Sequence, residues 1–199
     1  LALAPVSSVT ALVAGSPHRR DELEDLCDAA VVAVSDDRAR VVDPRRREAV
    51  RAALSAEDRR ELHRRGASLH TNHDERVRLW HESFLDSRRE DAELELLAVA
   101  SSYVREGAVE VAIEVAERSL ALRGTGPGRD VLLVSLAHNL LQQGEPALAR
   151  LYLGRAARLP LLPFPIRCAG ARMDLLLGHA MYGTIQQAPI PTFVRLNRD

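Results

Sequence analysis

Three observations predict a mainly α protein. Apolar residues recur at helical spacing along most of the 199 residues, one glycine-centred pattern occurs twice, and only one stretch has strand character. Together they place a small hairpin-containing module first and a stack of helical hairpins after it.

The strand-like stretch is "AAVVAVSDDRARVVDP", residues 29 to 44. Val31, Val32 and Val34 lead into Ser35-Asp36-Asp37, and Val41 and Val42 follow, so two β-branched runs flank a short polar turn. A helix with Leu23, Leu26 and Cys27 on one face precedes it, and Pro44 suits the first position of a helix after it. Helix, hairpin, helix is the order of the second half of a winged-helix module. Residues 1–70 are assigned to such a winged-helix-like unit.

Next, "PRRREAVRAALSAEDRRELHRRGASL" reads as two short helices joined at Ser55. The Ser55 hydroxyl and the Asp58 carboxylate form an approximate capping box for the second helix. Ala49, Val50, Ala53 and Leu54 make the apolar stripe of the first, and Leu62 and Leu69 belong to the second. In "DERVRLWHESFL", Val77, Trp80, His81, Phe84 and Leu85 again fall at helical spacing.

The repeat is the strongest signal. Setting Gly107 on Gly144 superposes Leu96, Val99, Ala100 and Tyr103 on Leu133, Leu136, Ala137 and Leu140. Beyond the glycines, Ala112, Ala116 and Ser119 fall on Ala149, Leu153 and Ala156. The offset of 37 residues is close to the tetratricopeptide period of about 34, with "GTGPG" (124 to 128) supplying a longer loop between units. Small residues at Ala100, Ala112, Ala137 and Ala149 are what a close helix crossing requires. A third unit starts in "IRCAGARMDLLLGHA", with Gly178 lying 34 residues after Gly144. Residues 71–180 are read as a tetratricopeptide-like α-α superhelix and 181–199 as an irregular tail.

Composition narrows the function classes. With 46% apolar and 28% charged residues the chain can build a core, and a net charge of −1 disfavours nucleic-acid binding through bulk charge. Every formal cation is arginine. Cys27 and Cys168 form no CxxC pair and are expected to be free thiols in a cytoplasmic protein. The N-terminal apolar run lacks a basic flank and is too short to span a bilayer. Lacking an initial Met, the chain reads as a fragment or a processed product.

Chemical motifs are few. "GTGPGR" resembles a phosphate loop but has no lysine to reach a phosphate, and a loop is already needed between the repeats. His63, His70, His73 and His81 lie close in sequence, yet neither cysteines nor an ordered set of carboxylates accompany them as a zinc site would require. No nucleophile motif is present, and no catalytic residue, metal or cofactor is expected. Residues 38 to 65 hold ten arginines against Asp43, Glu48, Glu57, Asp58 and Glu61, a surplus of five. Such charge beside a wing can bind DNA, but the interleaved acids suit a solvated or domain-facing surface better.

"DPRRREAVRAALSAEDRRELHRRGA" resembles a stretch of the large ATP-binding LuxR-family, MalT-like transcriptional regulators. The matching residues are Asp43-Pro44, Glu48-Ala49-Val50, Ala52-Ala53-Leu54-Ser55, Arg59-Arg60 and Leu62-His63-Arg64-Arg65. Trp80-His81 and Glu106-Gly107-Ala108 also sit where that family runs on into tetratricopeptide-like repeats. The resemblance covers roughly residues 20–160, with Asp43 where the family usually has His; Walker motifs and a C-terminal helix-turn-helix are not read in this sequence. It implies a sensor segment whose repeats receive an inducer or a regulatory protein, with DNA contacted only through domains outside these residues. The first helices of the hairpins would then line the groove with Leu97, Ser101, Arg105, Val134, His138 and Gln142. The partner would be a protein, a peptide or a small-molecule inducer, without a membrane; pairing with a second copy is left open. Direct DNA binding by the N-terminal module is the alternative.

Overall fold

The computed structural model of the chain describes residues 1–14, 17–86, 91–122, 127–156 and 171–178. It is mainly helical, with one small three-stranded sheet near the N-terminus. No helix among the described residues is long and apolar enough to cross a membrane.

The chain opens with β1 (Ser7–Ser8), α1 (Val9–Val13) and α2 (Pro17–Asp28), then the hairpin β2 (Val32–Ser35) and β3 (Arg38–Val41). The sheet is antiparallel in the order β1-β3-β2. Asp36 turns the hairpin at φ +53°, a left-handed conformation that Asp tolerates better than most residues. Asp37 then ties the turn to the start of α1. Its carboxylate accepts from the Ser8 hydroxyl at 2.6 Å, the Thr10 hydroxyl at 2.7 Å and the Thr10 amide at 2.8 Å. The expected hairpin is therefore present, while β1 carried too short a pattern to be foreseen.

Three capped helices follow. Asp43 accepts from the Arg45 amide to start α3 (Pro44–Ala53), and Ser55 accepts from the Asp58 amide at 3.0 Å to start α4 (Ala56–His70). Asp74 accepts from the amides of Arg76 and Val77 to start α5 (Glu75–Leu85). Each cap satisfies an amide that the first turn would leave orphaned, worth about 1 kcal/mol. The stripe expected on α3 is not a core stripe. Ala49, Val50 and Ala53 are exposed and Leu54 is only half-buried, because α3 contributes no buried residue.

The repeat region holds α6 (Ala92–Arg105), α7 (Val109–Ala121), α8 (Pro127–Gln142) and α9 (Pro146–Gly154), with a further helical segment over 171–178. Both hairpin turns have the same construction. Gly107 and Gly144 sit at φ +79° and +81°, and each is flanked by the paired bonds of a Schellman cap. The Ala108 amide donates to Tyr103 O and the Gly107 amide to Val104 O; Glu145 and Gly144 donate in the same way to Leu140 O and Leu141 O. Every aligned residue of the two units is buried, from Leu96 with Leu133 to Ser119 with Ala156. The Ser119 hydroxyl is satisfied by donating to Glu93 O at 2.7 Å.

Two details differ from the expected layout. The loop placed at 124 to 128 falls largely outside the described residues, and α8 already begins at Pro127, where a missing amide costs nothing. Of the third unit, Met173 and Leu177 pack into the main core, whereas Cys168 and the tail 181–199 lie outside the described residues.

That main core runs from Ala4 and Val6 through Val77 and Trp80 into all four repeat helices; a minor one gathers Leu23, Val32 and Ala39 under the sheet. Trp80 also donates from Nε1 to Leu3 O at 2.8 Å, tying the N-terminal segment to α5.

Because Ala137 and Ala149 are fully buried, extra volume at either has no room to relax. Ala137→Leu and Ala149→Leu are each expected to destabilise the fold by about 1–3 kcal/mol through overpacking. Thermal melts against the parent measure this, and unchanged midpoints would mean that the crossings are loosely packed.

Candidate functional site: an arginine–glutamate interface

Four residues of the ten-arginine run, Arg38, Arg40, Arg47 and Arg51, find partners across the molecule. Arg38 and Arg40, two apart on β3, point to one side of the strand, and Arg47 and Arg51, four apart on α3, share one helical face. Opposite them stand Glu106 at the end of α6 and Glu110 and Glu114 on α7, spaced by four. Arg38 meets Glu106 at 2.7 Å and Arg40 meets Glu110 at 3.3 Å. Arg47 grips Glu114 with both guanidinium nitrogens, at 2.5 and 2.6 Å, and Arg51 approaches the same carboxylate to 3.5 Å. Arg47 also donates to Ala2 O at 3.1 Å.

Glu106 is the most crowded of these acids. Arg76 at the start of α5 reaches its second oxygen at 2.7 Å. The Arg76 and Arg38 guanidinium carbons lie 4.7 and 5.5 Å from the centre of the Tyr103 ring. Partial burial alone would raise the Glu106 carboxyl, but the hydrogen bonds and charges of Arg38 and Arg76 outweigh it and hold it below the usual range. Burial pushes the Tyr103 phenol up to about 12, so it remains a neutral platform. Beside this knot, between the β2–β3 turn and the start of α5, opens a cavity of about 740 Å³ bordered by Asp36, Asp37, His73 and Asp74. Chemically the array joins sheet and α3 to the repeats, with the Arg47 fork on Glu114 as its firmest contact and the exposed Arg40–Glu110 pair as its weakest.

The histidines divide. His63, His70 and His81 are brought together in the seam between α4 and α5, whereas His73 borders the hairpin cavity. The Nδ1 atoms of His63 and His81 are 3.0 Å apart, so one ring donates and the other accepts. His63 stacks on Phe84 at 4.2 Å, and the Arg118 guanidinium of α7 lies 3.9 Å from the centre of the Phe84 ring while donating to Ser83. Gly66 lets the two helices approach, since a Cβ there would lie 2.5 Å from the His81 ring. Burial, helped by Arg51, Arg118 and Arg59, lowers His63 to about 4; burial, helped by His63 and His70, lowers His81 to about 3. Among the described residues no group of three or more His, Cys, Asp or Glu is arranged to hold a metal ion.

The six residues expected to line a groove do not form one surface. Leu97 and Val134 lie in the main core and Ser101 is buried, so these three assignments are corrected. The cause is the packing of α6 against α5, α7 and α8 at once, which leaves the inner face of the first hairpin no opening. Arg105, His138 and Gln142 are exposed, and the side chains of His138 and Gln142 meet at 3.0 Å.

Two predictions follow from this geometry. Arg47 and Glu114 keep only 14% and 29% of their side-chain exposure, so salt screens them less than a surface pair. Glu114→Gln is expected to cost about 1–2 kcal/mol in denaturant titrations, and to retain most of that loss in 0.5 M salt. An effect under about 0.3 kcal/mol would reduce the pair to a surface contact. For the histidines, folded-state values below the ordinary 6.5 mean that the unfolded chain binds more protons on acidification. Their contribution is complete above about pH 6.5 and is lost as pH falls toward 4 and 3. His63→Phe should flatten the pH 6.5-to-4 part of the melting profile; an unaltered slope would show that the pair does not drive it.

Comparisons with protein-family models, with curated proteins and with solved structures give no match.

Proposed function

We propose that the chain is a non-catalytic interaction segment of a cytoplasmic transcriptional regulator, a winged-helix-like module clamped to tetratricopeptide-like hairpins that receive an inducer or a partner protein. The carrying observation is the arginine–glutamate row. It commits Arg38, Arg40, Arg47 and Arg51 of the basic run to internal docking, which supports a relay between two units. The element order β1-α1-α2-β2-β3, with β3 central in the sheet, supports the winged-helix-like description. The two glycine-capped hairpins in register support the tetratricopeptide-like one. For a partner, the exposed polar residues Arg105, His138 and Gln142 are the contact points, with Arg105 best suited to a carboxylate.

Direct DNA reading has less support. In the helix-turn-helix order α2 would enter the groove, yet it carries Asp21, Glu22, Glu24, Asp25 and Asp28 against Arg19 and Arg20. Those carboxylates repel phosphates. Titration of the chain with random and selected duplexes at physiological salt should show only weak, salt-sensitive association. A sub-micromolar complex with sequence preference would overturn the relay reading in favour of DNA binding.

A further inference from the structure

The ion pairs between the sheet and the repeats bridge an opening rather than seal a packed face. A cleft of about 670 Å³ lies between the β2–β3 hairpin and the α6–α7 turn, lined by Arg38, Arg40, Glu106 and Glu110. Asp36 and Glu145 also line it and leave it acidic in sum. Farther along the row, Arg47 and Arg51 reach Glu114 from α3, a helix that buries none of its own residues. Charge rather than apolar burial therefore holds α3 to α7.

The row is graded in its access to solvent. Arg40 and Glu110 keep 56% and 90% of their side-chain exposure, whereas Arg47 and Glu114 keep 14% and 29%. A competing anion thus meets Arg40 first and reaches Arg47 last. The glutamates themselves are laid out like a polyanion. Glu110 and Glu114 are four residues apart on α7, about 6 Å along its axis, and Glu106 precedes them at the α6–α7 turn. One strand of a nucleic acid presents its phosphates at a comparable interval, and an arginine fork holds a phosphate as it holds a carboxylate. Arg45 and Arg46 on α3 are exposed and extend the basic face. The acids on its own side are engaged: Asp37 with Ser8 and Thr10, Asp43 in the α3 cap, and Glu48 beside Arg51 at 3.9 Å.

We propose that Arg38, Arg40, Arg47 and Arg51 are a binding face for the phosphate backbone of duplex DNA, which Glu106, Glu110 and Glu114 occupy until it is released. This role rests on the relay reading: a signal at the repeats is passed on as release of the arginines. Backbone contacts carry no base sequence, so the binding is non-specific and distinct from groove reading by α2.

The test titrates a random duplex by fluorescence anisotropy between about 50 and 200 mM salt. Glu110→Gln, at the most open pair, frees one arginine and should steepen the log–log salt dependence by about 0.9. Glu106→Gln/Glu110→Gln/Glu114→Gln should bind about tenfold more tightly than the parent at the lower salt, with about 0.9 added to the slope for each arginine released. Adding Arg40→Gln to Glu110→Gln should return the slope to the parent's. Asp21→Asn/Glu24→Gln/Asp25→Asn on α2 removes the same charge elsewhere and should leave the slope unchanged. A parental slope in Glu110→Gln, an equal gain in the α2 variant, or a gain that survives Arg40→Gln would each overturn the proposal and leave the relay reading standing. A tight, sequence-specific complex of the parent would instead sink the relay reading, and the masked face with it.

Discussion

The structure depends on how closely α6 can be surrounded. Three helices press on it, and small side chains make this feasible: Ala100 on α6, Ala112 on α7, Ala137 on α8 and Ala149 on α9 are at most 1% exposed. A larger residue at any of these crossings would hold two helices apart and open the core around Tyr103, Leu133 and Leu140. The glycine turns serve the same end. By closing each helix with a left-handed residue, Gly107 and Gly144 reverse the chain within three residues and let the next helix lie directly alongside.

With α6 enclosed, Leu97 and Ser101 on its inner face are buried rather than exposed to a partner. What remains accessible is the outside of the array, and much of that is committed electrostatically. Glu106, Glu110 and Glu114 fix the sheet and α3, while Glu117 accepts from the Tyr152 hydroxyl at 2.9 Å and meets Arg155 at 2.5 Å, tying α7 to α9. One acidic ridge thus joins the hairpin, α3 and the second repeat unit. Arginine suits this task, because its planar fork holds a carboxylate in a set orientation where a lysine would act only as a point charge.

Much of this was legible in the sequence, and the reasons are specific. The hairpin around Asp36, the Ser55 cap and the 37-residue offset each rest on local rules, and the structure contains all three. The charges that form the clamp were also visible as periodicities: two on Arg38 and Arg40, four on Arg47 and Arg51 and on the glutamates. Which periodicity faces which is a property of topology, and 67 residues separate Arg47 from Glu114. Reading α6 as a groove wall failed for the same reason. Leu97 and Val134 are indistinguishable from groove residues until the position of α5 is known. The histidines show the opposite limit: nothing in the spacing of His63 and His81 marks their contact, which depends on Gly66 leaving room for the His81 ring.

These constraints meet on α3. The helix buries none of its residues, so its own packing cannot explain its position. Its arginine face is held by Glu114, and its apolar face, Val50 and Leu54, borders an apolar cleft shared with Leu62 and Leu69 of α4. Arg51 also faces His63 electrostatically, which links the clamp to the histidine seam. An element held from two sides by modest contacts is displaced more easily than one anchored in a core, because either side contributes only a few kcal/mol.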